Sequence, residues 1–327
     1  MKLINLKKYA LLLLVISSFK CTISQDRKIP IILDTDANNE LDDQHALAYL
    51  FFNEETFDIK GITVNTTYNG GEIDQHYNEA KRVADLCNVS GKYPLLKGAN
   101  SNFNEIKAQV QSESFDGKSA VDFLIEQAHK TKKEKLIVAA IGKLTNVALA
   151  IERDPSIKEH IKLVWLGSNY PEPGEYNQEN DIPSLNYLLE QDLDFEIVTV
   201  RYGKKSGSDA VKVSLDEVQK KMKNKGPKVK PVIGRHGGSF TNFGDYSIEL
   251  FSKIDLYGDP PSRALFDLVA LAVLKNSQWG EKRSIPAPTV VDQKWVDRPQ
   301  NQKRVILWEN FNREAIINDF YKSLSQH

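Results

Sequence analysis

The chain has 327 residues, 41% hydrophobic and 27% charged, a composition able to bury a core of its own. Forty-three Lys and Arg stand against 44 Asp and Glu, a formal net charge of −1, so no basic excess exists to neutralise a nucleic-acid backbone. Two cysteines, Cys21 and Cys87, are too few for a disulfide framework.

Residues 1–24 stand apart from the rest. Lys2, Lys7 and Lys8 precede an apolar run at 9–16, and small or polar residues follow. That is the plan of a secretory signal whose apolar core is too short to span a bilayer. Thr22 and Ser24 supply small side chains ahead of a cleavage point, so cleavage is expected between Ser24 and Gln25, with export to the periplasm or the medium. Cys21 could carry a lipid, but Phe19 and Lys20 before it fit a lipoprotein signal poorly. Losing 1–24 removes four lysines and no acid, which shifts the net charge to −5 and leaves Cys87 without a disulfide partner.

From residue 25 onward, short apolar runs alternate with helical patterns. IPIIL (29–33) reads as a buried strand and 42–53 as a helix. FDIKGITV (57–64) is the next strand, followed by helices at 74–87 and 119–129. KLIVAAI (135–141), IKLVWLG (161–167) and DFEIVTV (194–200) are further strands, with a helix opened by Thr145 between the first two. Strands separated by helices of this length predict an α/β fold: a mostly parallel sheet with helices on both faces, in one domain over 25–327. Ligands of such folds gather at the carboxyl ends of the strands. Glycine and proline near 171–174 and 226–238 predict long loops over one rim, and the basic stretch 220–230, with Gly and Pro and no aromatics, reads as a solvated loop.

The densest chemistry follows the first strand. Asp34, Asp36, Glu40, Asp42 and Asp43 fall within ten positions. Like charges so close repel unless a cation sits among them. Oxygen-only donors select a hard ion, Ca²⁺ or Mg²⁺. An EF-hand is excluded, because the sixth residue from Asp34 is Asn39 rather than Gly and the twelfth is His45 rather than Glu. An acidic helix start favoured by the helix dipole accounts for Asp42 and Asp43 but not for Asp34 and Asp36.

These motifs resemble the nucleoside hydrolases. Asp34-Thr-Asp36 with Asp42-Asp43 is similar to the family's Asp-x-Asp and paired Asp, in a form with a loop two residues longer. Further similarity lies in GITVNTTYN (61–69) with NEAKRVADL (78–86), KYPLLKGA (92–99), IGKLTNVALAIERDP (141–155), GEYNQENDIP (174–183) and RALFDLVALAVL (263–274). Six motifs in the family's order cover most of the mature chain.

The resemblance implies hydrolysis of the N-glycosidic bond of ribonucleosides with Ca²⁺. Asp36, Asp43 and Asp267 would bind the ion through carboxylates and Thr145 through its backbone carbonyl, with Asp36 also the general base toward water. Asp42, Asn69, Asn169, Glu175 and Asn177 would grip the ribose, with Asn65 as second choice to Asn69. Asp34 would support the loop from behind. Thr145 is equally a helix N-cap, and Asn169 and Asn177 could simply shape turns. Asp267 lies in an apolar helix, where an unpaired acid costs several kcal/mol, so a metal partner accounts for it better. Many members carry His just before that Asp as leaving-group acid; here it is Phe266. The loop 234–246 offers Arg235, His236 and Tyr246 instead, and His236 is expected to reach the site. His45, His76, His129 and His160 read as surface or packing residues. The resemblance also implies a small-molecule nucleoside partner, no nucleic acid, no membrane after signal cleavage, and a homodimer or homotetramer. A haloacid dehalogenase-type phosphatase shares the Asp-x-Asp strand end but not the following Asp pair. A non-catalytic calcium-bound nucleoside or sugar binder is the other alternative.

Overall fold

The computed structural model describes residues 27–326, so the signal sequence, its cleavage point and Cys21 lie outside the described residues. Eight strands form one sheet: β1 (Ile29–Thr35), β2 (Phe57–Val64), β3 (Leu95–Lys97), β4 (Leu136–Ala140), β5 (Ile161–Leu166), β6 (Asp194–Val198), β7 (Glu281–Pro286) and β8 (Arg304–Glu309). Their spatial order is β7-β8-β6-β5-β4-β1-β2-β3. Only the β7–β8 pair is antiparallel.

The central strands are apolar because both of their faces are covered. Along β1, Ile31 and Leu33 enter one core and Ile32 the other, the period-two alternation of an extended chain. Each such side chain contributes about 1.5–3 kcal/mol on burial. The helices Asp42–Phe51, Ile73–Leu86, Phe243–Ser252, Phe266–Lys275 and Arg313–Ser325 cover the first face. Lys118–Lys130, Thr145–Arg153 and Ile182–Leu189 cover the second. Helix Asp42–Phe51 is buried along its whole length, including both opening acids. Its partner Phe266–Lys275 is buried from Asp267 to Val273.

Both edges of the sheet are blunted. β3 is three residues long, and β7 exposes Glu281, Lys282, Arg283 and Ser284 before ending at Pro286. The expected strands and helices up to residue 200 appear within about two residues of their predicted bounds. In the last third the helix expected within 263–274 appears as Phe266–Lys275, whereas β7, β8 and the helices Leu215–Met222, Phe243–Ser252 and Arg313–Ser325 were not predicted. The basic stretch expected to be a loop starts inside Leu215–Met222, and the 226–238 region includes a short hairpin arm, Val232–Ile233 paired with Ser239–Phe240.

Candidate active site

Four parallel strands deliver the site at their carboxyl ends. β1 runs into Asp36, β4 into Ile141 and Gly142, β5 into Ser168, and β6 into Val200 and Tyr202. One cavity of about 40 Å³ is lined by Asp36, Asp42, Asp43, Glu175, Asn177 and Asp267, six of the residues predicted for the site. Tyr176, Tyr202, Phe266, Glu40 and Ile141 complete much of its wall.

Asp42 and Asp43 open one helix and Asp267 lies in the first turn of another; the two helices pack together. A carboxylate oxygen of each lies within 4.8 Å of the other two. Thr35 Oγ1 donates to Asp43 Oδ1 at 2.5 Å and fixes that rotamer. Burial, then the nearby acids, drives the carboxyls of Asp43 and Asp267 well above their ordinary range. Asp42 is pushed up to about 8 by burial and then by the Glu40 carboxylate. Such a group is unstable as three bare charges and suits a hard cation with oxygen ligands.

Asp36 lies beside this trio. It accepts a hydrogen bond from Thr67 Oγ1 at 2.6 Å and one from Asn39 Nδ2 at 3.3 Å, and burial raises it to about 6. A Cβ on Gly142 would stand 2.7 Å from Asp36 Oδ1 and 2.8 Å from Asn65 Oδ1, so glycine is needed for that close approach. Beneath the cavity Asp34 accepts from Thr63 Oγ1 (2.5 Å), Asn65 Nδ2 (2.8 Å) and Asn146 Nδ2 (2.7 Å), which ties β1, β2 and helix Thr145–Arg153 together.

Glu175 caps the short helix Tyr176–Asn180, with its carboxylate accepting from the N–H groups of Asn177, Gln178 and Ser168 at 2.8–3.0 Å. Burial still raises it to about 7 against those three donors. Ser168 takes φ +75°, rare for a residue with a side chain, and in that conformation its N–H points at Glu175. Asn177 Nδ2 donates to the carbonyls of Ile141 (2.9 Å) and Leu166 (3.1 Å), which binds together the ends of β4 and β5.

Four predicted residues do not line the cavity. Thr145 is the first residue of its helix rather than the cap, which is Leu144, and its hydroxyl donates to Asp181 Oδ2 at 2.5 Å. The residue of this stretch that lines the cavity is Ile141, four residues earlier. Asn69 is exposed, and its N–H donates to Tyr176 Oη at 3.1 Å. Asn65, the second choice, is buried against Asp34, and its Oδ1 has no partner among the described residues. Asn169 is a loop brace: Nδ2 donates to the carbonyls of Pro173 and Gly174, and Oδ1 accepts from the N–H of Tyr202.

His236 is exposed and its Nδ1 pairs with Glu249 at 3.1 Å, away from the cavity. Of its loop neighbours, Arg235 donates to the Asn38 carbonyl of the acidic loop, and Tyr246 donates its hydroxyl to buried Glu79 at 2.5 Å. His236→Ala is therefore expected to change kcat by less than about twofold. A tenfold loss in a steady-state assay would return it to the mechanism.

Sequence reasoning also missed His76. It is buried, and its Nδ1 lies 2.7 Å from the Asp36 carbonyl and 3.3 Å from the Asn38 N–H, so it holds the acidic loop. His45 is a core residue between the Leu41 carbonyl and Ser247 Oγ, and burial lowers it to about 4. The rings of His129 and His160 meet outside the site.

The model of the inosine-uridine preferring nucleoside hydrolases matches residues 31–316. The chain belongs to this family. A probable uridine nucleosidase of Arabidopsis thaliana is 29% identical over 182 residues, 48% of this chain and 52% of the relative. A non-specific ribonucleoside hydrolase of Escherichia fergusonii is 27% identical over 207 residues, 58% of this chain and 62% of the relative. The matched stretch thus spans about half to three fifths of these curated family members. A solved plant nucleoside hydrolase superposes with a TM-score of 0.71, at 14% identity, over 92% of this chain and all of its own. A purine-preferring ribonucleoside hydrolase of Gardnerella vaginalis gives 0.70 at 18% identity over 91% and 98%. These structures share the family fold. Membership argues against the phosphatase reading.

Proposed function

We propose that the protein is a calcium-dependent nucleoside hydrolase, cutting the N-glycosidic bond of ribonucleosides into ribose and free base. The observation that carries this reading is the convergence of Asp42, Asp43 and Asp267 within 4.8 Å in a cavity that also holds Asp36, Glu175 and Asn177. Family membership supplies the reaction class, and the ion is inferred from the donor set. Asp42, Asp43 and Asp267 would hold Ca²⁺, with Asp36 next to them and the Ile141 carbonyl as the backbone donor at the place first assigned to Thr145. The bound ion supplies Lewis acidity toward a water and a template for the sugar hydroxyls.

The chain's own groups do the rest. Asp36, whose carboxyl burial raises to about 6 in the metal-free site, takes the proton of the attacking water. Glu175 and Asn177, fixed by the strand ends, face the ribose hydroxyls. The carboxylates around the cavity stabilise the positive charge that develops on the sugar. With residues 1–24 read as a secretory signal, we place the mature enzyme in the periplasm or outside the cell.

The test is ribose release by the chain from Gln25 against purine and pyrimidine nucleosides, with Ca²⁺ and with chelator. We expect release that chelation abolishes and Ca²⁺ restores. Calcium bound without release from any nucleoside would point to a binding protein instead.

A further inference from the structure

A second cavity, of about 280 Å³, adjoins the acidic one and shares Glu40, Tyr202 and Phe266 with it as a common wall. Beyond that wall it is lined by Arg263, Tyr257, Ser262 and Lys212. The charges are not equivalent. Lys212 is half-exposed and paired with Asp209 at 2.9 Å. Arg263 is largely buried; its Nη2 pairs with Glu40, and its guanidinium lies 5.4 Å from the Tyr257 ring centre. Its Nε–H is buried without an acceptor among the described residues. A buried, unpaired N–H on a charged group costs free energy and is retained most cheaply where a ligand completes it. Phe266 and Tyr202 meet edge to face, with centres 5.8 Å apart and planes at 87°, and give the shared wall an aromatic surface for a flat heterocycle.

We propose that this adjoining cavity receives the departing nucleobase and that Arg263 stabilises the negative charge the base acquires. The inference rests on the hydrolase reading above. Phe266 cannot donate a proton, and a cation beside the base offers a route that needs none from that position. As the C1′–N bond breaks, its electron pair passes to the base, water adds to C1′, and the water's proton goes to Asp36. The base departs as an anion held by the guanidinium N–H groups and takes its proton from solvent. Glu40 balances the guanidinium in the free enzyme and fixes its plane. It belongs to the acidic segment between Asp36 and Asp42, so the same loop that borders the acidic cavity supplies this clamp.

The test compares leaving groups. Inosine and uridine need help to expel the base, whereas p-nitrophenyl β-D-ribofuranoside releases an anion already stable in water. Arg263→Met should lower kcat/KM for inosine and uridine by on the order of 10²-fold or more. It should leave the p-nitrophenyl riboside within about threefold. Arg263→Lys keeps a charge but loses the Nε–H and the fork, and should show the same split at smaller size. It serves as the variant if the Met protein does not fold. Equal losses on all three substrates, or no loss on any, would overturn the role of Arg263 while leaving the hydrolase reading intact. A wild-type protein inactive on all three, p-nitrophenyl riboside included, would overturn both.

Discussion

Replacing Asp43 by alanine should abolish calcium-dependent ribose release, a fall on the order of 10³-fold or more. Asp43 is buried, held by Thr35, and converges with Asp42 and Asp267 within 4.8 Å. Calorimetry should show calcium affinity falling with activity. The isosteric Asp43→Asn separates metal binding from packing, because it keeps the volume and removes only charge. Without calcium it should melt above the wild type, since the cost of keeping a buried carboxyl protonated is gone. With calcium it should melt below. A variant that loses activity yet melts like the wild type under both conditions would mean that Asp43 is not a ligand.

The second large effect is the dependence of metal-free stability on pH. Asp36, Glu175 and Asp42 are raised to about 6, 7 and 8, and burial with the neighbouring acids also drives Asp43 and Asp267 well above their ordinary range. In the unfolded chain all five would titrate near their ordinary values of about 4. Between pH 4 and 8 the folded state therefore binds more protons than the unfolded one, and stability falls as pH rises. The metal-free protein should melt about 5 °C or more higher at pH 5 than at pH 8. Saturating Ca²⁺ should remove most of that difference by stabilising the ionised carboxylates, with protons released on binding. Melting curves at the two pH values, with chelator and with calcium, check this. A metal-free protein more stable at pH 8 than at pH 5 would contradict a cation-dependent acidic cluster.

What the sequence makes legible follows the chemistry. β1, β2, β4, β5 and β6 are short and mostly apolar because the sheet is covered on both sides, and they are readable for that reason. β7 is a polar edge strand, EKRSIP, and carries no such mark. At the site the carboxylates are conspicuous because unpaired acids after a buried strand have no cheap structural explanation. The proposed Ile141 donor is invisible by the same logic, since a backbone carbonyl leaves no residue signature. Asn169 was assigned by resemblance and His236 by its loop, and neither reports where a side chain points. Arg263 was read only as part of the helix motif, because its meeting with Glu40 spans 223 positions of sequence.

The blunted sheet edges also constrain how copies of this chain can associate. A three-residue strand at one end and four exposed polar positions closed by proline at the other give little template for strand addition. A dimer or tetramer of this protein would therefore be assembled through helices and loops rather than by continuing the sheet. Its affinity would depend on side-chain complementarity, and point substitutions on the helical faces could tune it without disturbing the strand ends that form the cavity.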